Sequence, residues 1–262
     1  MTLKTHLLLA LIVWVGFAPY AWAEEKAAPE KTTTKGLIEK AEKGDADAMF
    51  YLGVFYEYGT GVSMDETEAA KWFLKAAEKG HAKSQYSLGL QYLEGRGVPK
   101  DEGTAVKWLR MAAEQGYRES QFGLGLMYDN GNGVPKDEAE AVKWYRIAAE
   151  QGHAKAQYNL GASYAGNLGI PKDEAEAVKW YQKAAEQGHA KAQYGLSWNY
   201  FRGIGVPKDD VLAYKWMLLA GAKEANYRES IPVIEESLTP QQRAEGQKLA
   251  REFKPVVQKE VK

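Results

Sequence analysis

One pattern of apolar and polar positions recurs every 36 residues along most of the chain. Its clearest marker is a tryptophan column, formed by Trp72, Trp108, Trp144, Trp180 and Trp216. Columns of glycine, leucine, tyrosine and aspartate follow the same spacing, so each stretch is a copy of one structural unit. The period predicts five units, at residues 45–80, 81–116, 117–152, 153–188 and 189–224.

Within each unit the apolar spacing predicts two helices. In the second unit Ser84, Leu88 and Tyr92 are four residues apart and share one helical face, whereas strand alternation does not fit. Gly95 ends this helix, and Asp101, which follows a proline that requires extended backbone, can cap the next one. Each unit is therefore expected to be an antiparallel pair, which we call helix A and helix B.

Capping residues and glycines support this division. An Asp followed three residues later by Glu is the pattern of a capping box. Mid-helix glycine costs roughly 1 kcal/mol, so the glycines on helix A predict a close approach of helix B. The capping pairs are Asp65/Glu68, Asp137/Glu140 and Asp173/Glu176, and the helix A glycines are Gly53, Gly89, Gly125 and Gly161.

The first residues have the pattern of a secretory signal peptide. Lys4 precedes an uncharged apolar run over residues 7–18, and Ala21-Trp22-Ala23 forms a small-x-small cleavage site. The run is shorter than the ~20 residues that cross a bilayer. We expect a signal peptide over 1–23, a flexible leader over 24–35, and no membrane span after cleavage. The mature chain would then be periplasmic or, alternatively, secreted.

Composition and charge narrow the possible functions. The 262 residues carry a formal net charge of -1, and their charges are of mixed sign, which disfavours nucleic-acid binding. The chain has no cysteine, which excludes disulfides, thiolate zinc sites and cysteine nucleophiles. His81, His153 and His189 recur at the repeat period, so they would lie on the order of 10 Å apart, too far to share a metal ion. We predict no catalytic residue, no cofactor and no metal, and hence no enzyme.

The stretch AKAQYNLGASYAGNLGIPKDEAEAVKWYQKAAEQGH, residues 154–189, resembles the Sel1-like repeat, a relative of the tetratricopeptide repeat. The resemblance extends from Asp45 to about Lys223, and it implies an all-α, right-handed α-solenoid of about five helix pairs. It also implies protein binding and scaffolding, as in exported bacterial members that act in the envelope. Residues 36–44 are expected to form an N-terminal capping helix. Residues 225–262 are expected to form C-terminal capping helices and a tail.

Two positions depart from the repeat pattern. Asn167 replaces the first loop glycine of the fourth unit, and Ser197 replaces the helix A glycine of the fifth. Asparagine tolerates left-handed backbone better than most residues, so the turn at Asn167 is expected to persist.

Specificity is expected where the copies differ from one another. Helix A positions equivalent to 51, 54/55 and 58 vary among the units and fall on one helical stripe, which we expect to face solvent and to line a concave groove. Aromatic and arginine residues, which this stripe contains, are common interface anchors. The predicted partner-binding residues are Tyr51, Phe55, Tyr58, Gln91, Glu94, Met127, Asn130, Asn159, Trp198, Asn199 and Arg202.

The sequence thus favours a non-catalytic envelope module that binds a protein or peptide in this groove. Two alternatives stay open. One is a protein that binds or hydrolyses cell-wall glycan or peptide, including a β-lactamase-like activity. The other is a structural adaptor recognised through the outer face of helix B.

Overall fold

The computed structural model describes residues 34–166 and 168–256. The predicted signal peptide, nearly all of the predicted leader, Asn167 and the last six residues lie outside the described residues. The chain divides into two compact units, each larger than a 36-residue repeat. From here on, unit 1 and unit 2 are these two larger parts, and the 36-residue copies are called repeats. Unit 1 contains the described residues up to Leu124 together with 132–134, and unit 2 contains residues 125–131 and 135 onward.

Every regular element in the described part of the chain is a helix, which confirms the all-α prediction. Unit 1 contains α1 (Thr34–Glu42), α2 (Ala46–Tyr58), α3 (Glu66–Glu78), α4 (Ala82–Glu94) and α5 (Glu102–Glu114). Helix α6 (Arg118–Asn130) contributes its first residues to unit 1 and the rest to unit 2. Unit 2 continues with α7 (Glu138–Glu150), α8 (Ala154–Gly166), α9 (Glu174–Glu186), α10 (Ala190–Arg202), α11 (Asp210–Lys223), α12 (Ala225–Arg228), α13 (Ile231–Glu235) and α14 (Pro240–Glu252).

Consecutive helices pack against one another within each unit. In unit 1, α1 to α5 pack in chain order, and in unit 2, α7 to α11 do the same. The connections are short, so neighbouring helices run antiparallel, as the repeat pattern predicts. At the far end of unit 2, α12, α13 and α14 all pack against α11.

The predicted glycine contacts between helices A and B are confirmed. A Cβ on Gly53 would lie 2.5 Å from the Phe73 ring, and one on Gly161 would lie 2.8 Å from the Tyr181 ring. Ser197 is tolerated in unit 2 because its hydroxyl donates a 2.7 Å hydrogen bond to the Ala213 carbonyl.

The aspartate caps form, but the reciprocal half of the predicted capping box does not. Asp65 accepts a 2.9 Å hydrogen bond from the Glu68 amide, while the Glu68 carboxylate instead pairs with Lys71 at 2.8 Å. The Asp65 amide is already used, because it donates to the Tyr56 carbonyl at 2.8 Å. A complete capping box is present at Thr239 and Gln242, at the start of α14.

Each tryptophan of the repeat column lies on helix B and is at least partly buried. Trp180 and Trp216 are buried, and Trp72 lies at the edge of the core around Leu52. A lysine three residues later covers the ring in two copies: Lys75 over Trp72 and Lys183 over Trp180, both with Nζ 4.0 Å from the ring centroid. This packing supports a structural role for the column.

Candidate partner-binding surfaces

The first part of the predicted stripe lies in unit 1, on α2 and α4. Tyr58 is 50% exposed and Glu94 is exposed at the end of α4. Tyr51 and Phe55 are half-buried, and both pack against a core cluster that includes Leu37 of α1. Of these four residues, Tyr58 and Glu94 are therefore the most accessible to a partner.

Two predicted stripe residues do not face solvent. Gln91 is 0% exposed and Met127 is 2% exposed, so the expectation of solvent exposure is wrong for both. Each lies three residues after an invariant core leucine, Leu88 or Leu124, and residues at this spacing share a helical face. Variation among the copies therefore does not imply exposure at this position. The Gln91 side-chain amide has no hydrogen-bond partner in the described part of the chain.

In unit 2 the stripe ends in a cluster of aromatic and cationic side chains on α10. The Arg202 guanidinium lies 4.8 Å from the centroid of the Trp198 ring, and the ring packs edge-on against Phe201 at 5.6 Å. Arg202 is exposed, and Trp198 and Phe201 are half-buried. These side chains combine apolar area with a positive charge at an accessible surface.

The predicted asparagines have different surroundings. Asn199 is half-buried, and its amide donates a 2.9 Å hydrogen bond to the Ile204 carbonyl, which holds the loop after α10. Asn130 is exposed at the end of α6 and donates to the Leu126 carbonyl at 3.0 Å. Asn159 lines a cleft in unit 2.

This cleft has a volume of about 90 Å³ and lies among α6, α7, α8 and the loop after α8. Its walls combine acidic, aromatic and apolar side chains: Asp129, Glu138, Ala141, Val142, Tyr145, Asn159, Ala162, Ser163 and Leu168. The Tyr145 hydroxyl donates a 3.1 Å hydrogen bond to Asp129. Burial and the nearby Asp129 charge raise the pKa of Tyr145, so the hydroxyl keeps its proton. Asn159 was predicted from the sequence but Asp129 was not, because its column, equivalent to Glu57, lies outside the variable stripe on helix A.

A buried ion pair in unit 1 was also missed. Arg96, in the loop after α4, binds the Glu57 carboxylate at 2.6 Å and Glu94 through Nε at 2.5 Å. The Glu57 side chain is only 10% exposed, and burial raises its pKa although Arg96 opposes the shift. The Glu94 carboxylate is therefore already bound in part to Arg96, which leaves less of it available to a partner.

The three histidines serve as helix caps. His81 and His189 accept hydrogen bonds through Nδ1 from the Ser84 and Ala192 amides, at 3.2 and 3.3 Å, and His153 accepts one from the Ala156 amide at 3.1 Å. Across residues 34–166 and 168–256, no three histidine, aspartate or glutamate side chains converge on a point that could hold a metal ion. Nor does any helix in these ranges have the length and apolar character needed to cross a bilayer.

The cap at His189 predicts a pH-dependent stability. Burial, followed by the charges of Lys191, Lys155 and Lys223, lowers the pKa of His189 to about 4. An unfolded histidine has a pKa near 6.5, so the unfolded chain binds the proton more readily. The contribution of His189 to the free energy of unfolding is complete above pH 6.5 and is lost as the pH falls toward 4. The loss is about 2 kcal/mol between pH 7 and pH 5.

The variant His189→Asn tests this expectation. Asparagine can cap the helix without titrating, as the carboxylate of Asp45 does at the equivalent position by accepting from the Ala48 amide. Urea unfolding of both proteins at pH 5, 6 and 7 should show that the variant loses less free energy of unfolding as the pH falls. Equal pH dependence of the two proteins would assign the loss to other groups.

Comparison with known proteins relates the chain to a repeat family. A family model described as Sel1 repeat matches residues 46–81, 82–117, 118–153, 154–189 and 190–224. The crystal structure of a Sel1 repeat protein from Oxalobacter formigenes is 31% identical, with a TM-score of 0.75 over 88% of this chain and 97% of that chain.

Two further crystal structures are less similar. One is c5321, a protective antigen of uropathogenic Escherichia coli with an SLR fold: it is 27% identical over 84% of this chain and 63% of that one, with a TM-score of 0.44. The other is a putative Sel1 repeat protein from Klebsiella pneumoniae, which is 20% identical over 78% of this chain and 99% of that one, with a TM-score of 0.48. No curated protein matches the chain.

Proposed function

The chain belongs to the Sel1 repeat family, and we propose that it is a non-catalytic module that binds a protein or peptide through residues of its A helices. Sel1 repeats form solenoid folds that generally mediate protein–protein interaction, and proteins built from them are generally non-catalytic scaffolds. The family match and the packing of consecutive helices confirm the predicted fold class. Binding by the A helices, and a role in the envelope, are the parts that we propose.

The observation that carries the proposal is the set of accessible, non-repeated aromatic and charged side chains on the A helices. In unit 1 these are Tyr58 and Glu94, and in unit 2 they are Trp198 and Arg202. The scaffold does not require them, since the other copies carry different residues at the same positions. Tyrosine, tryptophan and arginine are also the residue types that contribute most to binding energy at interfaces.

The binding test compares exposed residues on the two kinds of helix. A photoreactive residue at position 58 or 202 should form a crosslink to a specific protein, which is then purified and its affinity measured. Tyr58→Ala combined with Arg202→Ala should weaken that affinity by at least about tenfold. Met111→Ala combined with Ile147→Ala is the matched control, because Met111 and Ile147 are exposed on B helices, at 46% and 39%. A greater loss in the control pair would favour the outer helix B face and contradict the proposal.

We also propose that the protein acts in the bacterial envelope, in the periplasm or after secretion. The support is the sequence of residues 1–23, with its early lysine, apolar run and small-x-small site. Mass spectrometry of the protein purified from cell fractions should give a mature N-terminus at Glu24. An uncleaved chain recovered from the cytoplasm would contradict this part of the proposal.

A further inference from the structure

We propose that the cleft of unit 2 binds the guanidinium group of an arginine side chain. This inference rests on the proposed function for the source of that arginine, which is the protein or peptide partner. The cleft lies beside Asn159, so its occupant would contact one of the predicted partner-binding residues. The support comes from the lining of the cleft, from an equivalent position in unit 1, and from the charges around both.

The lining is suited to a long cationic side chain. Asp129 and Glu138 contribute carboxylates, and Asn159 contributes an amide. Val142 and Leu168 contribute apolar surface against which an aliphatic stem can pack. A planar guanidinium makes paired hydrogen bonds with carboxylates, which favours arginine over lysine at such a position.

Unit 1 contains an arginine at the equivalent place. Counting two repeats along the chain, Asp129 corresponds to Glu57, Glu138 corresponds to Glu66, and Leu168 corresponds to Arg96. In unit 1 the Arg96 guanidinium occupies this position and binds Glu57 at 2.6 Å. In unit 2 the carboxylate is retained, but the loop supplies Leu168, which is 45% exposed, instead of an arginine.

In unit 2, smaller side chains leave space for a guanidinium group. The residues equivalent to Leu90 and Gln91 of unit 1 are Ala162 and Ser163, and both line the cleft. The larger Leu90 and Gln91 side chains are buried in unit 1. The cleft of about 90 Å³ is thus large enough for about three water molecules, which an arginine head can displace.

The side chains next to the cleft carry a net negative charge. Lys136 pairs with Glu138 at 2.9 Å, and its pKa is raised by Glu138 and, more weakly, by Asp129. Asp129, Glu138 and Lys136 together carry a formal charge of -1. In unit 1 the equivalent residues Glu57, Glu66 and Arg96 carry the same formal charge, because Met64 takes the place of Lys136 and Arg96 supplies the cation. One added guanidinium would neutralise the group in unit 2.

The test uses Nα-acetyl-arginine amide as the probe and its neutral analogue, Nα-acetyl-citrulline amide, as the control. In amide-detected NMR titrations of the purified protein, the arginine probe should cause saturable shifts at the Asn159 side chain and its neighbours. A dissociation constant on the order of 1–10 mM is expected for a single side chain. Equal shifts with the citrulline probe, or shifts confined to residues outside the cleft, would overturn the proposal.

Three variants locate the binding. Asp129→Asn should weaken probe binding at least about tenfold, and Ala162→Leu, which reduces the volume of the cleft, should weaken it as well. Lys136→Met should strengthen binding, because it removes the competing cation. Melting temperatures of all three variants establish that they fold, and unchanged probe affinity in folded Asp129→Asn would contradict the assignment.

This titration needs no partner, so its outcome is independent of the crosslinking test. Probe binding without any partner would leave the cleft assignment standing and the proposed function failing. Partner binding that is unchanged by Asp129→Asn, with no probe binding, would leave the proposed function standing and overturn the arginine site.

Discussion

Gly97→Ala is expected to lower the free energy of unfolding by more than about 4 kcal/mol. Gly97 has a φ of +66°, and a Cβ at this position would lie 2.0 Å from the Glu66 carbonyl oxygen and 2.4 Å from its carbon. These are backbone atoms at the start of α3, so no side-chain rotation relieves the overlap. The loop after α4 would have to move away from α3, and the contact between successive repeats would be lost.

A second glycine in unit 1 separates this overlap from the cost of the backbone conformation. Gly116 has a φ of +90°, and no described atom lies within 4 Å of its hypothetical Cβ. Gly116→Ala should therefore cost only the roughly 1–2 kcal/mol of a left-handed alanine. Urea unfolding followed by circular dichroism measures both variants. A loss in Gly97→Ala within about 1 kcal/mol of that in Gly116→Ala would show that the overlap is relieved.

The same contact recurs at equivalent glycines in both units. Within unit 1, a Cβ on Gly133 would lie 2.4 Å from the Glu102 carbonyl oxygen. Within unit 2, one on Gly205 would lie 2.2 Å from that of Glu174. In each case the second loop glycine packs against the first residue of the preceding helix B. The structure shows that these loop glycines contact the preceding repeat.

Features that repeat could be predicted from the sequence because each was observed four or five times. The helix pairs, the aspartate caps and the glycine contacts between helices A and B all lie in such columns. The reciprocal capping bond was predicted wrongly, because a local pattern does not show that the Asp65 amide donates to Tyr56, nine residues earlier. Long-range competition for a hydrogen bond has no signal in a four-residue motif.

Features that do not repeat were harder to predict. Gln91 and Met127 were expected at the surface because their column varies, yet a core position also varies when the packing around it changes. Asp129 and the Glu57–Arg96 pair each occur once, and Arg96 is 39 residues after Glu57. A single chain offers no second observation of such a pair, so only coordinates bring the two side chains together.

Arg96→Met is expected to lower the free energy of unfolding by about 3 kcal/mol at pH 7. The variant leaves the Glu57 carboxylate, which is 10% exposed in the present structure, without its 2.6 Å partner. A buried carboxylate without a cation favours its protonated form, so the pKa of Glu57, already raised by burial, rises further. The folded variant then binds a proton more readily than the unfolded chain does.

This linkage fixes the sign of the pH dependence. When a carboxyl group has a higher pKa in the folded than in the unfolded state, the protein loses stability as the pH rises through the folded-state pKa. The deficit of Arg96→Met relative to the present protein should therefore be largest at pH 7 and smaller at pH 5. Urea unfolding at the two pH values measures the deficit, and a deficit independent of pH would show that Glu57 is not the unpaired group.

The double variant Glu57→Gln with Arg96→Met completes the comparison. It removes the buried charge as well as its partner, so it should be more stable at pH 7 than Arg96→Met alone and should lose the extra pH dependence. A double variant no more stable than Arg96→Met would mean that the guanidinium contributes through its packing, or through its 2.5 Å contact with Glu94, rather than by neutralising Glu57. In that case an arginine would not stabilise unit 1 by neutralising a buried carboxylate, although the arginine is present there.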